Sequence, residues 1–193
     1  MKNIQKIQKA IKFAIKTNEI YQKQTRKGKN TSYITHPLTV GIIFSQISDD
    51  IDLICAGILH DTIEDSIPEK KVTDIMLQKK FGQKIAQLVS SVSETNKKLS
   101  WKERKKEAIE HIKIFSYESL LLKSADVISN VTEIIDDYNK EGEKIFQKFN
   151  APNPQKENMI KNYINVIETI LNCNSKNPLK KEMLFLVGKL KNI

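Results

Sequence analysis

The stretch from Ile54 to Asp65 constrains this chain more than any other: Ile-Cys-Ala-Gly-Ile-Leu runs directly into His-Asp-Thr-Ile-Glu-Asp. An apolar run is followed at once by a histidine and three acids. Read as one helix, it sets Glu64 four residues after His60 and Asp65 four after Asp61, so two polar rows share a face. Asp61 also continues the stripe Ile54–Ile58 and is thereby aimed at the core. A carboxylate there is costly unless it is paired or bound to a cation. Two readings compete. Histidine beside carboxylates suits a transition metal and an activated water. Alternatively, the helix ends in solvated acids, the usual surroundings of Asp and Glu. Acids stabilise helix N-termini rather than C-termini, so the helix dipole does not account for the cluster. The metal reading is favoured.

The charge balance narrows the partners. A net charge of +9 on 193 residues invites a nucleic-acid reading. Yet of 32 basic residues only Arg26 and Arg104 are arginine, and the lysines are spread along the whole chain. Readers of phosphate and guanine edges concentrate arginine for its planar fork, so no dedicated nucleic-acid surface is predicted. A basic surface does favour a small anionic substrate. No apolar run approaches a membrane span, and Met1-Lys2-Asn3-Ile4-Gln5 begins no secretory signal, so a cytoplasmic protein without membrane contact is expected. Cys55 and Cys173 lie far apart in apolar helical patterns and are read as buried free thiols. Oligomeric state is left open.

Helical periodicity dominates the rest. Ile4, Ile7, Ile11, Ala14 and Ile15 predict an amphipathic helix over 2–20, followed by a polar loop from Gln22 to Ser32 around Gly28. Pro37 suits the first turn of a helix over 37–48 that turns Leu38, Ile42 and Phe44 inward. Pro68 opens another over 68–80, closed at Phe81-Gly82, and Ile85, Leu88, Val89 and Val92 mark a shorter one. A polar loop over 93–99 precedes Ser100-Trp101-Lys102-Glu103, which has the form of a capping box for a charged surface helix over 101–115. Residues 117–138 are strongly apolar but carry Asp126 and Asn130. Pro152 and Pro154 mark a loop before helices over 155–172 and 179–190. Hairpin signals and internal repeats are absent. The chain is predicted to be all-α, a single-domain helical bundle over 1–193, its core at about 5–170 and its last helix at about 179–190.

His36, His60-Asp61 and Asp126 supply two imidazoles and two carboxylates in a fixed order. With Glu64-Asp65 they form a pattern that resembles the HD-domain phosphohydrolases. The closer resemblance is to the RelA/SpoT-type hydrolase domain, and within it to the small alarmone hydrolases. It rests on Gln24-Thr25-Arg26-Lys27, on Tyr33-Ile34-Thr35-His36-Pro37, on His60-Asp61-Thr62-Ile63-Glu64-Asp65, on Trp101-Lys102-Glu103-Arg104-Lys105, and on Ala125-Asp126 with Asn130. Roughly residues 5–170 take part, which is far more specific than one His-Asp pair.

The resemblance implies His36, His60, Asp61 and Asp126 as metal ligands, with manganese(II) the usual ion. It implies Glu64 and Asp65 as the pair that positions and activates the attacking water. Arg26 would lie flat against guanine, Lys27 near phosphate, and Asn130 against the nucleotide. The implied reaction removes pyrophosphate from the 3′ position of guanosine 3′,5′-bis(diphosphate), ppGpp. Four positions depart from the family pattern. Tyr21 and Lys23 replace a His and a Gly, and Val127 and Thr132 stand where basic residues are common. These departures bear on the substrate more than on the chemistry. Two alternatives follow: an HD phosphohydrolase acting on another nucleotide, such as a phosphorylated dinucleotide cofactor, or a nucleotide-binding regulatory module without turnover.

The same residues make chemical sense without the family. Hydrolysis of a phosphoanhydride needs a water more acidic than bulk water, and a divalent ion provides one. Mixed imidazole and carboxylate ligands fit manganese, and accommodate iron or zinc. Glu64 or Asp65 can then serve as general base. His111, on the charged helix, is read as a surface residue, and Trp101 as an apolar anchor.

Overall fold

The computed structural model describes residues 2–94, 96 and 98–193, and every regular element among them is helical. The chain divides into two compact units, Met1–Thr95 and Asn96–Ile193. Residues 95 and 97 of the predicted 93–99 loop lie outside the described residues. Among those described, no helix is long and apolar enough to cross a membrane.

The first unit is built around a short central helix. Helix α1, Lys2–Ile15, passes into a π-helical turn over Lys16–Tyr21; α2 is Thr35–Ser45, α3 Ile51–Leu59, α4 Asp74–Phe81 and α5 Gln83–Val92. Helix α3 packs against α1, α2 and α5. Its composition explains this: Leu53, Cys55, Ala56, Gly57, Ile58 and Leu59 are all buried, so it is apolar nearly all round. Asp50 caps it, its side chain accepting from the amide of Asp52 at 2.8 Å. The α2–α3 crossing is set by two glycines. A Cβ on Gly41 would lie 2.7 Å from Ile58 Cγ1, and one on Gly57 would lie 3.0 Å from Phe44 Cδ2 and 3.2 Å from the Gly41 nitrogen. Only hydrogen at both positions lets the helices approach this closely.

Three expectations need correcting here. Helix α2 begins at Thr35 rather than 37, and its buried stripe is His36, Pro37, Val40, Gly41 and Phe44. Ile42 falls off that stripe and is 61% exposed. Helix α3 ends at Leu59, so His60–Asp65 form a turn and not a further helical turn. Pro68 opens only a 3₁₀ turn, Pro68–Lys70, and α4 starts later, where Thr73 accepts from the Met76 amide at 3.2 Å.

The second unit contains α6, Trp101–Ile112, α7, Tyr117–Glu141, a 3₁₀ segment over Gly142–Lys148, α8, Gln155–Cys173, and α9, Lys180–Leu190. Helix α8 packs against α6, α7 and α9. The predicted capping box is present: Ser100 Oγ accepts from the Glu103 amide, and Glu103 Oε2 accepts from the Ser100 amide. Trp101 packs on a cluster of Ile134, Ile145, Phe146, Ala151 and Met159 and so anchors α6 by burial. His111 is exposed, as read from its helix. Both cysteines are free; Cys55 is buried, whereas Cys173 ends α8 on its exposed side, against expectation.

Candidate metal and catalytic site

The close α2–α3 contact brings His36, near the start of α2, to His60, which caps the end of α3. Both imidazoles are 4% exposed, and their Nε2 atoms are 3.2 Å apart. A carbonyl can only accept, so the 2.8 Å contact of His60 Nδ1 with the Gly57 oxygen puts the proton on Nδ1. His60 Nε2 therefore turns a lone pair toward His36. Asp61 completes the group, with Oδ1 3.1 Å from His60 Nε2 and Oδ2 3.7 Å from His36 Nε2. Two buried imidazole nitrogens and a carboxylate converging in this way fit a divalent cation.

The acids that follow are held apart by the turn. Asp65 accepts from Gln24, whose Nε2 donates to Oδ2 at 3.0 Å. Glu64 Oε2 accepts from the backbone amide of Glu94 at 2.9 Å. Burial, and then the charge of Asp61, push the Glu64 carboxyl up to about 7, against the hydrogen bond from the Glu94 amide. Tyr33 donates its phenol to Asp61 Oδ2 at 2.6 Å. Burial and the Asp61 charge together raise that phenol well above its ordinary range. Neither Tyr33 nor Gln24 had been assigned a role from sequence beyond membership of a motif. They act across 28 and 41 residues, which local periodicity does not register.

Arg26 and Lys27 lie in the 22–34 loop. That loop is closed by the Arg26 amide on the Thr31 oxygen at 2.9 Å and by a single bridge between Thr25 and Ser32. The Arg26 guanidinium sits over the Tyr33 ring, 5.4 Å from its centroid, and Lys27 is exposed. Lys23 takes φ 51°, the left-handed region that a glycine occupies freely. It stands where the resembled pattern has Gly, so the backbone turn is kept at a position that has lost its usual residue.

Asp126 and Asn130 belong to α7 in the second unit. Asp126 Oδ2 accepts from Lys123 Nζ at 2.8 Å, and its Oδ1 accepts from Asn130 Nδ2 at 2.6 Å. Asn130 is thus bonded to the carboxylate one turn before it. Val127 is 2% exposed and belongs to the core, while Thr132 is exposed. The missing basic group at 127 is a core side chain instead.

Residues 10–155, which carry all of these side chains, match the HD-domain family. The chain belongs to that family. As an HD-domain protein it is 33% identical over 108 residues to the Danio rerio guanosine-3′,5′-bis(diphosphate) 3′-pyrophosphohydrolase MESH1, covering 55% of this chain and 57% of that one. It is 34% identical over 119 residues to the Xenopus tropicalis MESH1, covering 60% of this chain and 64% of that one. The Aquifex aeolicus guanosine-3′,5′-bis(diphosphate) 3′-pyrophosphohydrolase is 32% identical over 130 residues, 66% of this chain but 17% of the relative. The HD-domain chain thus spans less than two thirds of the length of these relatives. These similarities bear out the RelA/SpoT-type resemblance read from the motifs. The fold is shared with a metazoan SpoT orthologue reported to hydrolyse ppGpp, at a TM-score of 0.76 and 22% identity over 95% of this chain and 94% of that one. A Listeria monocytogenes protein of known crystal structure matches at a TM-score of 0.67 and 30% identity, covering 82% of this chain and 99% of that chain.

Proposed function

We propose that this HD-domain protein is a manganese-dependent phosphohydrolase that removes the 3′-pyrophosphate from ppGpp. The observation that carries the reading is the convergence of His36 Nε2, His60 Nε2 and Asp61 beside a glutamate that titrates near neutral pH. We assign His36, His60, Asp61 and, from its matching place in the motif order, Asp126 as the ligands. When bound, a divalent ion there supplies a Lewis acid for a phosphoryl oxygen and a more acidic water.

The side chains divide the remaining work. The Nδ1–H bond from His60 to Gly57 fixes the imidazole tautomer, and Tyr33 fixes the Asp61 carboxylate. Glu64 is held through Oε2 by the Glu94 amide, so Oε1 takes the proton of the attacking water. Burial raises the affinity of Glu64 for that proton and a cation beside Asp61 lowers it again, and the balance between them lets the base accept the proton and release it. Asp65, held by Gln24, orients the same water. Arg26 is assigned to the purine, and Lys27 and Asn130 to the phosphates and ribose. Such a substrate places the enzyme in the cytoplasm with the nucleotide pool. Two relatives over 30% identical and named for this reaction support the substrate.

The test is turnover of ppGpp by metal-depleted protein to which Mn(II) is restored, with a phosphorylated dinucleotide cofactor run in parallel. Release of pyrophosphate from ppGpp, dependent on Mn(II), is the expected result. Turnover of the dinucleotide alone would reassign the substrate. Binding of either without turnover would make the chain a regulatory module.

A further inference from the structure

We propose that Tyr33 is a positioning residue that couples the grip on the substrate's base to the metal ligand Asp61. The inference rests on the reading of Asp61 as a ligand and Arg26 as a base contact. It arises from three contacts of one side chain. The Tyr33 phenol donates to Asp61 Oδ2 at 2.6 Å. Its ring meets the His36 imidazole edge-on, with centroids 6.1 Å apart and planes at 66°. The Arg26 guanidinium lies 5.4 Å from the ring centroid. The Tyr33 carbonyl also accepts from the His36 amide at 3.1 Å, and its amide donates to the Gln24 carbonyl at 3.4 Å. Tyr33 is therefore seated between the loop that carries Arg26 and the helix that carries His36.

Each contact has a physical consequence. The last torsion of an aspartate is broad and roughly two-fold, so a bare carboxylate samples many orientations. A short bond to Oδ2 selects one of them and leaves Oδ1 toward His60. Hydrogen bonds of this kind, outside the ligands themselves, commonly change metal affinity about 10–100-fold. The ring face meanwhile holds the guanidinium by cation–π attraction and stacking, which sets the plane that Arg26 can present to a purine. The hydroxyl and the ring thus serve different halves of the reaction, and substitution can separate them.

The experiment uses the full chain and two variants, Tyr33→Phe and Tyr33→Leu. Mn(II) affinity is measured by isothermal titration calorimetry, and KM and kcat are measured with ppGpp. Tyr33→Phe is expected to bind Mn(II) about 10–100-fold more weakly, with KM at saturating metal unchanged. Tyr33→Leu is expected to show the same metal defect together with a raised KM. Adding Arg26→Ala to Tyr33→Leu should then raise KM no further, since the platform is already gone. A general loss of structure in Tyr33→Phe would weaken Mn(II) binding and impair turnover together, circular dichroism would register it, and that result would overturn a role confined to positioning. Tyr33→Phe with wild-type Mn(II) affinity would overturn the role of the hydroxyl. Additive KM effects of Tyr33→Leu and Arg26→Ala would overturn the coupling. Wild-type protein that takes up no Mn(II) would instead overturn the metal reading beneath both.

Discussion

The two units treat a half-buried carboxylate in opposite ways. In Met1–Thr95, Asp61, Glu64 and Asp65 share one turn, and their bonds include those from a phenol, a backbone amide and an amide side chain, with an imidazole beside Asp61. In Asn96–Ile193, Asp126 on α7 accepts from the positively charged Lys123 and from Asn130. Burial, and then the charge of Asp61, leave Glu64 with a carboxyl pushed up to about 7. If Asp126 joins the metal as proposed, the cation competes with Lys123 for its oxygens, and uptake there exchanges one positive charge for another.

The largest effect should come from removing one of the proposed ligands. His60→Ala and Asp126→Ala are each expected to abolish metal retention, measured by inductively coupled plasma analysis of dialysed protein, because the remaining ligands lose both affinity and geometry. Wild-type stoichiometry in Asp126→Ala would break the comparison, leaving Asp126 an ordinary ion pair with Lys123. Next in size is Glu64→Gln, which keeps the bond from the Glu94 amide but cannot take a proton. It should retain metal and lower kcat by roughly two to four orders of magnitude. Nearly full kcat would move the base to Asp65.

The turn that carries Glu64 also sets a pH dependence. Folded, metal-free protein keeps a proton on Glu64 up to about pH 7, whereas the unfolded chain releases it near the ordinary glutamate value of 4.5. Between these values the folded state binds more protons, so stability falls as pH rises, by about 3 kcal/mol in total. Chemical denaturation of chelated protein across pH 4–8 measures it, and Glu64→Gln should flatten that slope. Restoring Mn(II) should shrink the window, because a cation beside Asp61 favours the ionised glutamate. An unchanged slope in Glu64→Gln would place the titration elsewhere.

Legibility followed the range of the interaction. Helices α6 to α9 lie close to their predicted bounds because their signals are local: a capping box at Ser100, Pro154 before α8, a strong apolar pattern through α7. The first unit was harder. The opening helix was expected to run to 20, yet it becomes a π-helical turn after Ile15, with Thr17 and Asn18 buried. His60–Asp65 looked helical by spacing, but the turn satisfies its backbone through the Thr62 and Asp65 amides on the Leu59 and Asp61 oxygens. The chemistry-bearing residue types were evident from their order along the chain. The contacts that orient them, Tyr33 to Asp61 and Gln24 to Asp65, join distant segments and leave no periodic trace.

The smallest effect expected is on the substrate side of the first unit. Arg26 would hold the base, a part of ppGpp that does not change as the phosphate bond breaks. Such an interaction stabilises ground and transition states alike, so Arg26→Ala should raise KM while leaving kcat nearly intact. Cation–π stacking of this kind contributes about 0.5–2 kcal/mol, which corresponds to a several-fold to roughly thirty-fold rise in KM. Lys27 is exposed, and a point charge there is screened by salt, so the KM change of Lys27→Ala should fade as ionic strength rises while that of Arg26→Ala persists. Steady-state kinetics at low and high salt separate the two. Asn130→Ala sharpens the comparison with the second unit. If Asn130 chiefly holds Asp126, as its 2.6 Å bond suggests, that variant should weaken metal affinity, whereas Arg26→Ala should not. A KM that does not move in Arg26→Ala would remove it from the pocket and leave its contact with Tyr33 as a local support for the loop.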